Sequence, residues 1–271
     1  MTGQSSRLTT ESVGVPLAQE VTRTVLKEEI TTGVAVLTIL RPARRNSMDR
    51  ALVEALRATV LRLDADTGIA AIVLAGADPG FCAGSDLGFI GKLDSAAMSR
   101  FEQECADLGR LMSFISKPMI AAVEGFAVGG GFTLATCCDI VVAARNSRWS
   151  LPEVPIGWLT PWGLKSLITR VGLVRARNLC FCLEPLSGTE AHKLGIADYL
   201  ADDGGALARA MEIAGKIRAL PMPAAAATKR LFSTYLMRDA EAIDFEANRL
   251  FVENCREPAA RATLAKFAAK Q

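Results

Sequence analysis

The chain has 271 residues, half of them apolar and 22% charged, with a formal net charge of +2. That length supports one substantial core, and the composition excludes bulk disorder. The near-neutral balance, without a dense Lys/Arg run, argues against a nucleic-acid partner. Apolar runs broken well short of about 20 residues exclude a membrane-spanning helix.

Residues 1–20 are polar and mixed and read as a flexible extension without the apolar centre of a secretory signal. Glu11 and Glu20 disfavour a mitochondrial leader, which leaves the cytoplasm as the expected location. Residues 21–29 and 34–40 read as strands joined by a turn at Thr31-Thr32-Gly33. Residues 49–63 have helical spacing through Leu52, Val53, Leu56, Val60 and Leu63, with Asp49 at the start. A buried strand at 69–75 is followed by the turn Phe81-Cys82-Ala83-Gly84-Ser85-Asp86-Leu87 and a long helix at 99–116, ending before Lys117-Pro118. The pattern then repeats: a strand at 119–123, the turn Val128-Gly129-Gly130-Gly131-Phe132, a short helix at 132–138 and a strand at 139–144. Alternating strands and helices predict an α/β core with active loops at strand ends.

Beyond residue 163 the texture becomes helical, with helices expected at 163–170, 175–182, 189–193, 205–218, 224–237, 240–255 and 258–270. Leu220-Pro221-Met222-Pro223 is the clearest break, so the C-terminal third is expected to form a helical lobe on the core. Seven cysteines, at 82, 105, 137, 138, 180, 182 and 255, lack paired C-x-x-C spacing and read as buried free thiols, with no metal site. Cys82 as a nucleophile would need a histidine, and the single one, His192, falls in a surface helix.

The two glycine turns carry the chemistry. One backbone N–H from each, at Ser85 and Gly130, would suit a shared oxyanion, although either turn alone is equally a packing device. A proton-transfer partner is also needed, and the candidate is Glu153 in Leu151-Pro152-Glu153-Val154-Pro155-Ile156-Gly157. If buried in that proline-bounded loop it would be a stronger base; if not, it is a surface carboxylate. Asp86 reads as a helix cap more than an acid. Trp149, Trp158 and Trp162 either wall an apolar pocket or fill the junction between core and lobe.

These segments resemble the enoyl-CoA hydratase/isomerase (crotonase) superfamily. The match includes Leu40-Arg41-Pro42-Ala43-Arg44-Arg45-Asn46-Ser47-Met48, both glycine turns, Lys117-Pro118-Met119-Ile120-Ala121-Ala122-Val123-Glu124-Gly125, Cys138-Asp139-Ile140, the Glu153 loop and the stretch from Leu186 to Asp198. The resemblance implies a spiral of ββα units spanning 21–200, with a C-terminal helical region at 201–271 that supports a homotrimer or a dimer of trimers. It also implies acyl-CoA thioester substrates, with coenzyme A entering as part of the substrate and no separate cofactor. By carry-over, Ser85 and Gly130 resemble the oxyanion hole. Arg44, Ala83, Asp86 and Leu87 resemble CoA-contacting positions.

One departure stands out. Two-glutamate hydratases of the superfamily carry one glutamate at the position resembling Glu153 and another where this chain has Thr133. A lone carboxylate suits a double-bond shift, with Glu153 moving a proton from C2 to C4 of a 3-enoyl-CoA. Hydratase-lyases of the superfamily add a tyrosine from the C-terminal region, for which Tyr235 is the candidate. The open readings are therefore isomerase, hydratase or hydratase-lyase, and a catalytically weak acyl-CoA-binding protein, with Thr133 and Trp158 as further substrate contacts.

Overall fold

The computed structural model describes residues 25–182 and 184–269. The proposed extension at 1–20, the start of the first expected strand and Lys270 lie outside the described residues.

The chain opens with β1 (Leu26–Thr31) and β2 (Val34–Ile39), an antiparallel hairpin in register from Leu26 opposite Ile39 to Thr31 opposite Val34. Thr32 and Gly33 both have positive φ, 47° and 76°, the turn geometry that matches strand twist. After a 3-10 turn at Pro42–Arg44 comes α1 (Arg50–Ala65). Asp49 caps it by accepting from the Leu52 N–H at 3.0 Å, and the residues spaced at helical period in the sequence are those it buries.

β3 (Ala71–Gly76), β4 (Met119–Val123), β6 (Ile140–Ala144) and β9 (Tyr199–Ala201) add in parallel to β2, giving the six-stranded order β1-β2-β3-β4-β6-β9. A second sheet has the order β5-β7-β8, from β5 (Phe126–Val128), β7 (Arg148–Ser150) and β8 (Leu186–Ser187). Successive units thus place one strand in each sheet before a helix: β4 and β5 precede α4 (Gly130–Thr136), while β3 and a bridge at Cys82 precede α2 (Leu87–Ile90) and α3 (Ser95–Phe114). This is the expected α/β spiral of ββα units with a C-terminal helical region. The second strands are only about three residues long, too short for a sequence period to register, and went unread. The helix read at 99–116 begins earlier, because Asp94 caps it through the Ala97 N–H at 2.7 Å.

The helices continue as α5 (Leu164–Val171), α6 (Leu173–Cys180), α7 (Gly188–Lys193), α8 (Ala206–Arg218), α9 (Met222–Leu236), α10 (Ala240–Asn254) and α11 (Pro258–Ala268). Pro223 opens α9 rather than breaking it, since a first-turn N–H has no helical acceptor to lose. α8 lays Ala206, Ala210, Ile213 and Ala214 on the outer sheet face, against Val34, Val73, Ile120 and Val142. Glu124 fastens its start by accepting from the N–H groups of Gly204 and Ala206 at 3.1 and 2.7 Å. Among the described residues no helix is long and apolar enough to cross a membrane.

Candidate active site

The ββα repeat sets the two glycine turns side by side. Phe81 and Cys82 pair with β5, the Phe81 N–H donating to Phe126 O and the Val128 N–H to Cys82 O, each at 3.0 Å. Both chains then leave the sheet together. Gly84 has φ +89°, and a β-carbon on it would lie 2.8 Å from Val128 O and 3.0 Å from Gly130 N. Gly129 has φ +56°, and a β-carbon there would lie 2.8 Å from Glu153 Oε1. Any larger residue would strain the backbone and separate the turns.

Two donors are left unspent by this packing. Around Ser85, Met48 N–H donates to Gly84 O at 2.8 Å and Asp86 N–H to Met48 O at 2.7 Å, while the Ser85 N–H takes no backbone acceptor among the described residues. Gly130 begins α4, so its N–H has no acceptor within the helix. Two preorganised donors facing one small volume can hold one developing oxyanion.

The cavity they face is narrow, about 60 Å³ in volume. Among the candidates from the sequence, Ala83, Ser85, Leu87, Gly130, Glu153 and Trp158 all line it. Glu153 is only 6% exposed. Thr160 Oγ1 donates to its Oε2 at 3.4 Å, but burial outweighs this and pushes the carboxyl from 4.5 up to about 7. The C-terminal helices hold this loop in place. Gly157 packs on the start of α11, Asn254 Oδ1 accepts from the Leu159 N–H at 3.2 Å, and Asp244 Oδ1 accepts from the Gly163 N–H at 3.0 Å. Trp158 and Trp162 wall the cavity, whereas Trp149 is core, edge-on to Phe132 and donating its indole N–H to Ser147 Oγ.

Four candidates lie elsewhere. Asp86 caps α2 through the Gly88 and Phe89 N–H groups and pairs with Arg41 at 3.4 Å. Arg44 is exposed on the 3-10 turn. Thr133 is fully buried outside the cavity lining and donates its hydroxyl to Gly130 O at 3.0 Å, because α4 turns it inward against Gly163. Tyr235 is 66% exposed on α9, away from the cavity lining. Cys82 is buried beneath the turn and its thiol is pushed up to about 12, protonated at neutral pH, which removes the nucleophile reading. His192 Nδ1 lies 3.0 Å from Ala197 O. Among the described residues, no group of His, Cys, Asp and Glu side chains is arranged to hold a metal ion.

Of the two carboxylates that line the cavity, Glu153 was a candidate from the sequence and Glu102 was not. Glu102 on α3 is 2% exposed, accepts from Ser85 Oγ at 3.1 Å and is pushed up to about 7 by burial. Its signal was present: it shares a helix face with Met98, Cys105 and Ala106, where a carboxylate has no packing reason to be.

Comparison with known proteins agrees with this architecture. The enoyl-CoA hydratase/isomerase family profile matches residues 29–271. A probable peroxisomal enoyl-CoA hydratase 1 of Arabidopsis thaliana is 34% identical over 68% of this chain and 69% of its own length. The 2,3-dehydroadipyl-CoA hydratase of Escherichia coli is 34% identical over 73% of this chain and 78% of its own. A crystal structure of an enoyl-CoA hydratase/isomerase from Mycobacterium paratuberculosis superposes with a TM-score of 0.83 at 28% identity, covering 90% of this chain and 98% of that one. With the paired glycine turns and the buried Glu153 between core and C-terminal helices, the chain belongs to the enoyl-CoA hydratase/isomerase family.

Proposed function

We propose that the protein moves the double bond of a 3-enoyl-CoA to the 2-position. The thioester oxygen sits between the N–H groups of Ser85 and Gly130, which lowers the energy of the enolate formed when a C2 proton leaves. Glu153 is the base, its raised pKa matching the strength of a carboxylate to proton abstraction near neutrality. Protonation at C4 then completes the shift. The observation that carries this reading is that Glu153 lines the cavity while Thr133 is buried outside its lining, its hydroxyl already committed to Gly130 O. The two-glutamate arrangement for orienting water is absent at that position. Arg44, exposed beside the first turn, suits a CoA phosphate.

Hydration is the second reading, favoured by the hydratase names of the relatives. A hydratase-lyase role for Tyr235 finds no support within one chain, since that side chain lies outside the cavity. Exposed Leu231, Phe232, Tyr235 and Leu236 on α9 support the trimeric reading, as apolar surface that a neighbouring copy would cover.

Purified protein incubated with 3-enoyl-CoA and 2-enoyl-CoA in heavy-oxygen water separates the readings by mass spectrometry. Isomerisation without oxygen uptake is the expected result. Oxygen at C3 would establish hydration instead, and thioester binding without turnover would establish a binding protein.

A further inference from the structure

We infer that Glu102 is a second catalytic acid–base residue, supplying the proton at C4 while Glu153 removes the one at C2; this rests on the isomerase reading above. This carboxylate is housed differently from Asp244 and Asp139. Asp244 accepts from the Gly163 N–H and is paired with Arg110. Asp139 accepts from the Met119 N–H at 2.7 Å and lies 2.7 Å from Lys229 Nζ. Both are explained by the fold.

Glu102 is not. Its Oε1 accepts from Ser85 Oγ, but its Oε2 is the one buried side-chain polar atom among the described residues that has no hydrogen-bond partner. The Trp162 indole lies close enough to favour its charge without meeting Oε2 in hydrogen-bond geometry. A buried carboxyl without a cation and with one bare oxygen is destabilising unless that oxygen has work elsewhere. The carboxyl lines the same cavity as the two unspent N–H groups. Its anchor is the side chain of Ser85, on the first glycine turn, whereas Glu153 stands against Gly129 on the second. The two carboxyls therefore enter the same cavity from different elements, α3 and the Glu153 loop, and burial together with the charge of Glu153 keeps Glu102 available as a proton donor near neutral pH.

The steps balance without any other reactant. The Glu153 carboxylate takes a proton from C2, and the C–H electron pair spreads over the thioester oxygen and the C3–C4 double bond. The C2–C3 double bond forms as the C3–C4 double bond becomes single, and C4 takes a proton from the Glu102 carboxylic acid. Glu153 is left protonated and Glu102 ionised, and proton exchange with solvent restores both. No electron is gained or lost overall.

The test compares the wild type, Glu102→Gln and Glu102→Asp on a 3-enoyl-CoA carrying deuterium at C2, with kcat, KM and the label at C4 as readouts. Glutamine keeps the volume and can still accept from Ser85 but cannot donate an acidic proton. The expected result is a kcat loss of about 100-fold or more with KM within about threefold. Residual turnover in Glu102→Gln should carry C2 deuterium to C4, because Glu153 alone must then move it, whereas wild-type product should take its C4 hydrogen from solvent. Glu102→Asp, which keeps the acid, should recover part of kcat and the solvent-derived C4 hydrogen, and it carries the test should the glutamine variant not fold. Wild-type kcat in Glu102→Gln, with C2 label already reaching C4 in the wild type, would overturn the assignment while leaving the isomerase reading intact. Absence of any wild-type isomerisation would overturn both.

Discussion

Replacing Glu153 by glutamine should have two opposite effects. The first is on turnover. Glutamine fills the same buried site and can keep a hydrogen bond with Thr160, but it cannot take a proton, so kcat should fall by about 10²–10⁴-fold with thioester affinity little changed. The second is on stability. The folded protein raises this carboxyl from 4.5 to about 7. Below pH 4.5 the group is protonated in both states and folding bears no penalty. As pH rises the unfolded chain ionises first, so the penalty grows until the folded-state pKa is passed. It amounts to under about 1 kcal/mol at pH 5 and about 3 kcal/mol at pH 8. The variant escapes it, and its thermal midpoint should exceed that of the wild type by several degrees at pH 8 and by little at pH 5. Paired thermal melts at the two pH values, with initial rates on a 3-enoyl-CoA, measure both effects. Unimpaired turnover would refute Glu153 as the base. A stability difference independent of pH would refute the burial argument for its pKa.

Gly130→Ala places a methyl 3.4 Å from Ser85 N and 2.7 Å from the flexible end of Met48. The fold should survive because Met48 can shift, while the crowded donors cost about 10²–10³-fold in kcat, read from steady-state rates. Thr133→Val removes only the hydroxyl bond to Gly130 O. It should cost about 1 kcal/mol in denaturant melts, with kcat within about threefold; a much larger loss of turnover would show that the hydroxyl takes part in the reaction. Sedimentation should give the mass of three or six chains, and Phe232→Glu on the exposed apolar face of α9 should shift it toward one chain. A monomeric wild type would dismiss the trimer reading.

Much of this architecture is local and was legible in the chain. The apolar period of α1 with its Asp49 cap, the Thr32-Gly33 turn and the glycines at 84 and 129 state their geometry within a few neighbouring residues, because periodicity, capping and positive φ are local demands. Strands of two or three residues state nothing locally. β5, β7 and β8 exist because neighbouring strands, parallel between β5 and β7 and antiparallel between β7 and β8, complete their hydrogen bonds, which no single segment encodes. The Glu153 loop was recognisable as a candidate site, but its burial depends on α10 and α11, contributed about 100 residues later. Thr133 and Tyr235 were placed by analogy, which says nothing of helix rotation; within one chain that rotation turns Thr133 into the core and leaves Tyr235 exposed on α9. Glu102 shows the division most clearly. The sequence put a carboxylate on an apolar helix face, but only the packing of α3 beneath the Ser85 turn made it a buried group with one bare oxygen in the cavity, because a charge's environment is set by what folds over it.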